Sequence, residues 1–542
     1  PGNFWPHAML FGSLNAIREY QAALVALKKA YALEPMSLSI NLMMARFYQR
    51  SGDLDLARHH YERAMQLGAD ATSMQITIAD LESASGKFAA AVVRLREVLE
   101  SDPQNASAML RLAYTYLRLR DLESGREWGL RTEALVPAEI EPMASVIGAE
   151  GNYRGAITYV EDKLAIGGSR QAPVELLYLF CAAYQGKDTT TARRYLAEYR
   201  EAAGGGIRIA PQEIDHGMVL TMVEFMLVEG DAAERAEGAE LAASILASLT
   251  SLHEQGFRHP ATLHSLAVAN ALTGDGDAAR EFSDQAVAAG WSDGPFYASR
   301  TLNELLGVNQ IDSPASLARA DRERARLEDK DLAPFSPTER IPVGVKLDVL
   351  NAYVGYYTDG NLNMRVFIER NSLMFVFGQR MRPARLLASS ERSFYSPLHG
   401  YRIEFVSDTS EEVGGLVMSR GRGEIRYKAV PAPPEPVALQ PEVVQRYVGS
   451  YRWDRRPDLD DSEKRASDYW GLEVSVDADG QVWFNYDNQP ALRAQAFSET
   501  GFFLPGFYSE TRFELDRRTH EVSRLVTTLN GKERIFAPYD GP

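Results

Sequence analysis

A step of 34 residues constrains this chain more than any other feature. Ala23, Ala57, Ala91 and Gly125 stand one step apart, and Pro35, Ala69, Pro103 and Pro137 close each unit at the same interval. A small residue held in phase with a unit-closing proline predicts stacked helix hairpins. The small side chain lets two helices approach, and the proline stops the second one. In the unit Leu38–Leu67, Ala45 and Tyr48 fall on the first helix, Gly52-Asp53 makes the turn, and Ala57, Tyr61 and Ala64 fall on the second. The next units repeat this with Ala79, Gly86-Lys87, Ala91 and Leu95, then with Ala113, Tyr116 and Gly125. Tyr20, Ala23, Leu27 and Ala30 supply a second helix ahead of them.

This small–aromatic–small–proline pattern resembles the tetratricopeptide repeat. Gly129 and Thr132 depart from it in the fourth unit. Beyond Pro137 the phase slips. Gly151-Asn152-Tyr153 with Ala156 predicts a pair whose first helix is about one turn short. Leu176–Tyr184 with Ala192, Leu196 and Tyr199 forms another pair, and Gly204-Gly205-Gly206 a flexible break. Met218–Val228 and Ala239–Leu249 make a longer pair, and His264–Ala271 with Ala279 and Ala286 return to the pattern. The fold expected for residues 1–310 is an α-solenoid, a right-handed superhelix of about seven or eight helix pairs.

The resemblance implies that the first helices form a concave binding wall. Carried along the phase, that wall receives Arg46, Gln49, Arg50, Asp80, Arg111, Tyr114 and Arg118. Relatives that hold a C-terminal carboxylate use Lys/Asn pairs, which the matching positions here lack. What remains is an arginine-and-tyrosine strip suited to an extended acidic peptide through bidentate hydrogen bonds. The competing reading makes these residues ordinary solvated helix faces.

Ser313-Pro314 predicts a helix start, a capping serine followed by proline in the first turn. The charged stretch 315–330 then reads as a polar helix, and Pro334, Pro337 and Pro342 terminate it, so residues 311–345 are a charged helix and linker. From Leu347 short alternating runs separated by Gly, Asn and Asp predict antiparallel strands, the clearest being Met364–Ile368, Leu373–Phe377, Tyr401–Val406, Leu416–Ser419 and Ile425–Val430. The pattern occurs twice. Tyr353-Val354-Gly355-Tyr356-Tyr357 returns as Tyr447-Val448-Gly449-Ser450-Tyr451, Ser390-Glu391 with Phe394 as Ser498-Glu499 with Phe502, and Arg402-Ile403-Glu404-Phe405 as Arg512-Phe513-Glu514-Leu515. The offset grows along the repeat, which locates an insertion in the acidic stretch 453–470. Two β-barrel-like domains follow, residues 346–430 and 441–540, joined by a Pro-rich linker at 431–440. These motifs resemble the lipocalin-like β-domain that follows the catalytic domain of penicillin-recognising serine hydrolases, which implies a non-catalytic, packing role. If a barrel holds a ligand, Phe367, Phe375, Phe377, Trp483, Phe484 and Tyr486 are the aromatic candidates to line it.

Of the formal net charge of −16, the helical part carries most, with 33 Lys+Arg against 46 Asp+Glu before Ile341. That balance argues against bulk nucleic-acid binding, whose affinity comes from cations on phosphates. The single cysteine, Cys181, excludes an internal disulfide, and its apolar run predicts an inert buried thiol. No stretch has the length of a membrane span. The opening Pro-Gly-Asn, without methionine, leads us to expect a signal, an anchor or a further domain upstream. No lysine follows a serine by three residues, no Gly-x-Ser-x-Gly elbow occurs, Gly86-Lys87 lacks a phosphate loop's other members, and His253-Glu254 lacks a second histidine. Asp458, Asp460, Asp461 and Glu463 lack calcium-loop spacing. The reading is a non-catalytic bacterial scaffold without cofactor or metal. Its solenoid captures a protein or peptide and its β-domains dock or position the assembly, in the periplasm or else the cytoplasm. Two alternatives stay open: the accessory part of a serine hydrolase whose catalytic domain lies elsewhere, and a carrier of small hydrophobic ligands. The partner and the oligomeric state are not set by the sequence.

Overall fold

The computed structural model describes residues 4–539 apart from 138, 168–172, 203–206, 208–216, 293–297, 308–312, 331–342, 360–362, 370, 378–382, 398, 408–412, 421–422, 433, 454–470, 478–479, 487–491, 505–508, 517 and 530–531. The predicted glycine break at 204–206, the linker residues Pro334, Pro337 and Pro342, and the acidic cluster 458–463 lie outside the described residues. The chain divides into two compact units, Pro1–Arg340 with Pro397–His399, and Ile341–Ser396 with Gly400–Pro542.

The first unit is an array of helix pairs. They are α1 (Trp5–Ala16) with α2 (Tyr20–Leu33), α3 (Leu38–Ser51) with α4 (Leu54–Gln66), α5 (Ala71–Ala84) with α6 (Phe88–Ser101), and α7 (Ala106–Arg118) with α8 (Leu122–Leu135). Then come α9 (Glu141–Ala149) with α10 (Tyr153–Gly167), α11 (Pro173–Gln185) with α12 (Thr189–Ala202), α13 (Gly217–Glu229) with α14 (Ala232–Glu254), and α15 (Pro260–Thr273) with α16 (Gly276–Ala288). The phased small residues do what their size allows: Ala23, Ala57 and Ala91 are fully buried, and Gly125 is buried on α8. Helix starts are marked by short polar side chains. Ser37, Asp70, Asn105 and Asp121 each accept a hydrogen bond from the backbone N–H three residues on, which satisfies a donor the helix leaves open. As the slipped phase predicts, α9 is short, at nine residues.

The array returns on itself. One apolar cluster joins Tyr20, Met44, Phe47 and Tyr48 from the early hairpins to Leu220, Ile245, Phe257 and Leu266 from the late ones. Phe257 packs against Tyr20 and Phe47, with ring centroids 5.0 and 6.1 Å apart. Beside it the Tyr20 N–H donates to Gln255 Oε1 at 2.8 Å, and the Arg258 N–H donates to the Ser51 carbonyl at 2.6 Å. Two further helices complete the unit, α17 (Arg300–Leu306) and α18 (Pro314–Glu328). The fully buried Glu224 on α13 caps α17, accepting from Ser299 Oγ at 2.9 Å and from the Thr301 N–H at 2.5 Å. Ser313 caps α18 with Pro314 in its first turn, as predicted. One face of α18 is not merely polar: it lies along α6 and buries Ser316, Ala320 and Glu323.

The second unit holds two closed barrels, each a meander of eight antiparallel strands behind a short helix. Behind α19 (Leu347–Asn351) run β1 (Gly355–Thr358), β2 (Asn363–Glu369), β3 (Ser372–Phe377), β4 (Ala384–Ala388), β5 (Ser393–Tyr395), β6 (Arg402–Ser407), β7 (Val413–Arg420) and β8 (Gly423–Val430). Behind α20 (Pro441–Gln445) run β9 (Gly449–Trp453), β10 (Gly471–Val476), β11 (Val482–Tyr486), β12 (Leu492–Ala496), β13 (Gly501–Leu504), β14 (Ser509–Leu515), β15 (Val522–Leu529) and β16 (Lys532–Pro538). The first strand closes on the last in each, through Tyr356↔Val430 and Phe536↔Trp453, so neither barrel leaves an open edge.

The duplicated motif is one physical device. The Tyr353 hydroxyl donates to the Glu391 carbonyl, and Tyr447 does the same to Glu499, at 2.9 and 2.8 Å. In both copies the next tyrosine, Tyr357 or Tyr451, donates back to that first tyrosine's carbonyl at 2.8 Å. Tyr353 stacks on Phe405 at 4.1 Å and Tyr447 on Phe513 at 4.3 Å. This corrects the alignment of Arg402-Ile403-Glu404-Phe405 with Arg512-Phe513-Glu514-Leu515. Phe405 is matched by Phe513, so the charge-based match is out of step by two residues. Period-2 alternation makes such a slip invisible to a side-chain pattern. The pairings Gly355↔Val366 and Gly449↔Val474 place the extra residues of the second copy between β9 and β10.

Candidate functional site

The inner wall of the helical array is set by which helices neighbour one another. Four pairs of successive first helices touch, α5 with α7, α7 with α9, α11 with α13 and α13 with α15, while no comparable contact joins successive second helices among the described residues. Side chains exposed where α5, α7 and α9 touch therefore share one surface.

Four predicted residues come together there or beside one another. Arg111 Nε on α7 lies 3.0 Å from Asp80 Oδ1 on α5. Arg118, two turns along α7, donates through Nη1 to Ser83 Oγ on α5 at 2.8 Å. The Tyr114 hydroxyl donates to Glu141 Oε2 on α9 at 3.1 Å. Solvent reaches 39% of the Arg111 side chain and 37% of Asp80, yet surrounding protein raises the Asp80 carboxyl above its ordinary value, against the pull of Arg111 and Arg118.

The remaining three sit elsewhere on α3. Arg46 is exposed, and Gln49 Oε1 accepts from the Tyr61 hydroxyl of its own hairpin at 2.7 Å. Arg50 turns into the contact between early and late hairpins. Its guanidinium lies over the rings of Tyr20 and Phe257, at 5.4 and 5.9 Å, and Nη1 reaches Asn15 Oδ1 at 3.4 Å. A residue that sequence reasoning passed over, Ser83, stands one step of 34 beyond Gln49, so the phase itself signals it. Glu141 lies past the phase slip and carries no such signal.

Inside the barrels, alternation corrects the aromatic set. Met364 and Val366 point inward on β2, so Phe367 stands on the outer wall, under the Arg365 guanidinium at 5.1 Å. Trp483 also faces out and donates through Nε1 to Asp477 Oδ2 at 2.7 Å. Phe375, Phe377 and Phe484 do point inward, where they pack among other buried side chains. The Tyr486 side chain lies outside the described residues. Cys181 is fully buried, and desolvation pushes its thiol far above the ordinary value, which disfavours the reactive thiolate. Among the described residues no three His, Cys, Asp or Glu side chains are grouped to hold a metal, and no described helix is long and apolar enough to cross a membrane.

Residues 83–128, from the end of α5 into α8, match the family model described as Tetratricopeptide repeat. That match lies within the array of helix pairs, and two closed eight-stranded barrels follow the array in the chain. Solved structures that align with part of this chain include Pseudomonas aeruginosa PilF, at 21% identity over 38% of this chain and 93% of that one, TM-score 0.27. A tetratricopeptide repeat protein from Parabacteroides merdae aligns at 12% identity over 49% of this chain and 98% of its own, TM-score 0.33. Yeast Tom70 aligns at 12% identity over 58% and 60%, TM-score 0.32. No curated protein matches this sequence.

Proposed function

We propose that this protein is a non-catalytic scaffold of the bacterial envelope, whose helical array holds a protein partner along the wall of first helices while the barrels dock or position the assembly. The observation that supports the reading is the Asp80–Arg111–Arg118–Ser83 cluster, two guanidiniums of α7 held by side chains of α5 and still reached by water. Held in place, such groups lose little freedom on meeting a carboxylate, so they favour an acidic segment of the partner. The envelope assignment rests on the barrels' resemblance to the hydrolase β-domain and is checked by fractionating the native cell.

The test is partner capture by affinity purification and mass spectrometry. Replacing Arg111 and Arg118 by Gln, together with Asp80→Asn so that no carboxylate is stranded, is expected to weaken capture at least about tenfold. Exposed ion pairs contribute ~0–1 kcal/mol, so the melting temperature should stay within a few degrees. Capture should also weaken as salt rises. Undiminished capture by the triple variant overturns the assignment.

A further inference from the structure

A carboxylate already stands at the arginine that a partner's carboxylate would meet. Arg111 Nε lies 3.0 Å from Asp80 Oδ1 but out of line for a hydrogen bond, so Nε is hidden from water and has no hydrogen-bond partner. Two residues on, the same helix α5 shows what a committed pair looks like. Glu82 is buried and is gripped side-on by Arg94 of α6, which donates through Nε at 2.9 Å and through Nη2 at 2.7 Å. Arg111 and Asp80 instead stay open to water and are held by charge rather than by an aligned bond. The charged groups acting on Asp80 are those of Arg111 and Arg118, both from α7. Of the other helices packed on α5, α6 commits Arg94 to Glu82, and Glu62 of α4 acts on that same arginine.

We propose that Asp80 is a built-in competitor for the partner's carboxylate at Arg111 and yields by taking up a proton, so that capture of an acidic segment tightens as pH falls. This rests on the wall of first helices being where the partner binds, and it adds what controls that binding. An incoming carboxylate that takes the Arg111 fork with two parallel hydrogen bonds stands beside Asp80, and two like charges then share one guanidinium. Docking also removes the water that reaches Asp80, which raises the cost of keeping it charged. Burial already lifts the Asp80 carboxyl above its ordinary value against the pull of both arginines, so part of that cost is present before any partner arrives. Protonation relieves it. One proton passes from solvent to an Asp80 carboxylate oxygen, and both guanidiniums keep their charge for the partner. The bound state therefore holds that proton more tightly than the free state, and by linkage a falling pH favours binding.

The test is isothermal titration calorimetry of the full chain with an N-acetylated hexa-aspartate peptide, whose carboxylates, ordinarily at ~3.9, stay charged between about pH 5.5 and 7.5. The unsubstituted protein should bind about three- to tenfold more tightly at the acid end, since each unit of rise in the Asp80 carboxyl is worth up to tenfold. It should also take up protons on binding, read by comparing buffers of different ionisation heat. Asp80→Asn should bind about tenfold more tightly than the unsubstituted protein at about pH 7.5 and lose both the proton uptake and this part of the pH dependence. Histidines elsewhere titrate alike in the two proteins. If Asp80→Asn binds no more tightly, or keeps the full pH dependence, the competitor role is overturned while the wall of first helices still stands as the binding site. If the peptide does not bind, or the triple variant described above binds it undiminished, the binding-wall reading fails and the competitor role falls with it.

Discussion

His60 shows how one side chain ties acid stability to repeat packing. Its ring stacks on Tyr48 and meets Tyr31 edge-on, and Nδ1 lies 3.1 Å from Asn41 Oδ1. Burial, with His59 adding to it, lowers its pKa from 6.5 to about 4. The unfolded chain therefore binds the proton more tightly than the folded one. Stability from this site is complete above about pH 6.5 and is lost as pH falls toward 4, by at most ~3 kcal/mol. His60→Phe keeps the stacking but cannot titrate, and its cost from stranding Asn41 does not change with pH. Melting curves between pH 7 and 4.5 should converge as pH falls; parallel curves would reject the assignment. None of this is legible in the sequence, where His60 is one unremarkable position on a second helix. Its neighbours Tyr48 and Tyr61 were legible, because aromatic spacing is local and a pKa is not.

Among the elements, α18 carries the clearest unforeseen role. Ser313-Pro314 foretells where it starts, and its composition reads as solvated. Yet Arg319 donates through its two Nη atoms to the carbonyls of Val287 and Trp291 at the end of α16, the Trp291 bond at 3.1 Å. One turn later on the same face, Glu323 accepts from the Ala89 N–H at the start of α6 at 3.1 Å. A cation meets a helix C-terminus and an anion a helix N-terminus, the pairing that the helix dipoles favour. Glu323→Ala should cost ~1–2 kcal/mol and speed amide exchange across α18 and the first turn of α6. Glu328→Ala, an exposed residue of the same helix, should change neither, as read by exchange mass spectrometry. If the two variants behave alike, the capping role fails. In the barrels the strands were legible from alternation and turn residues. Their register was not, since a shift of two residues preserves the pattern while Tyr353 and Phe405 must meet in space.

At the scale of the whole helical unit, the contact between early and late hairpins is the finding that the repeat pattern does not contain. Gly52 and Gly274 end first helices with the same left-handed backbone, φ of 93° and 92°. A Cβ at Gly52 would lie 2.3 Å from the His259 nitrogen and 2.4 Å from the Arg258 carbonyl carbon, whereas one at Gly274 would meet nothing within 4 Å. Gly274→Ala should therefore cost only the backbone term, ~1–2 kcal/mol, and Gly52→Ala that plus ~1–3 kcal/mol for forcing two backbones apart. The difference between their unfolding free energies reads the closure directly. Equal costs would mean that the late hairpins do not press on Gly52 in solution.

The 34-residue step, the caps and the alternating runs determined the elements, their order and their approximate ends, because each depends on residues within a turn or two. Wherever packing repeats locally, as with Ala23, Ala57, Ala91 and Gly125, the step also fixed which side chains are buried. Only the tertiary structure decided that Arg50 turns into a seam while Arg111 meets Asp80, that Phe367 faces outward, and that the eighth hairpin returns to the second. Small rotations accumulate from hairpin to hairpin, and strand register depends on distant partners. Such contacts are set by sums over many residues, which no local pattern records.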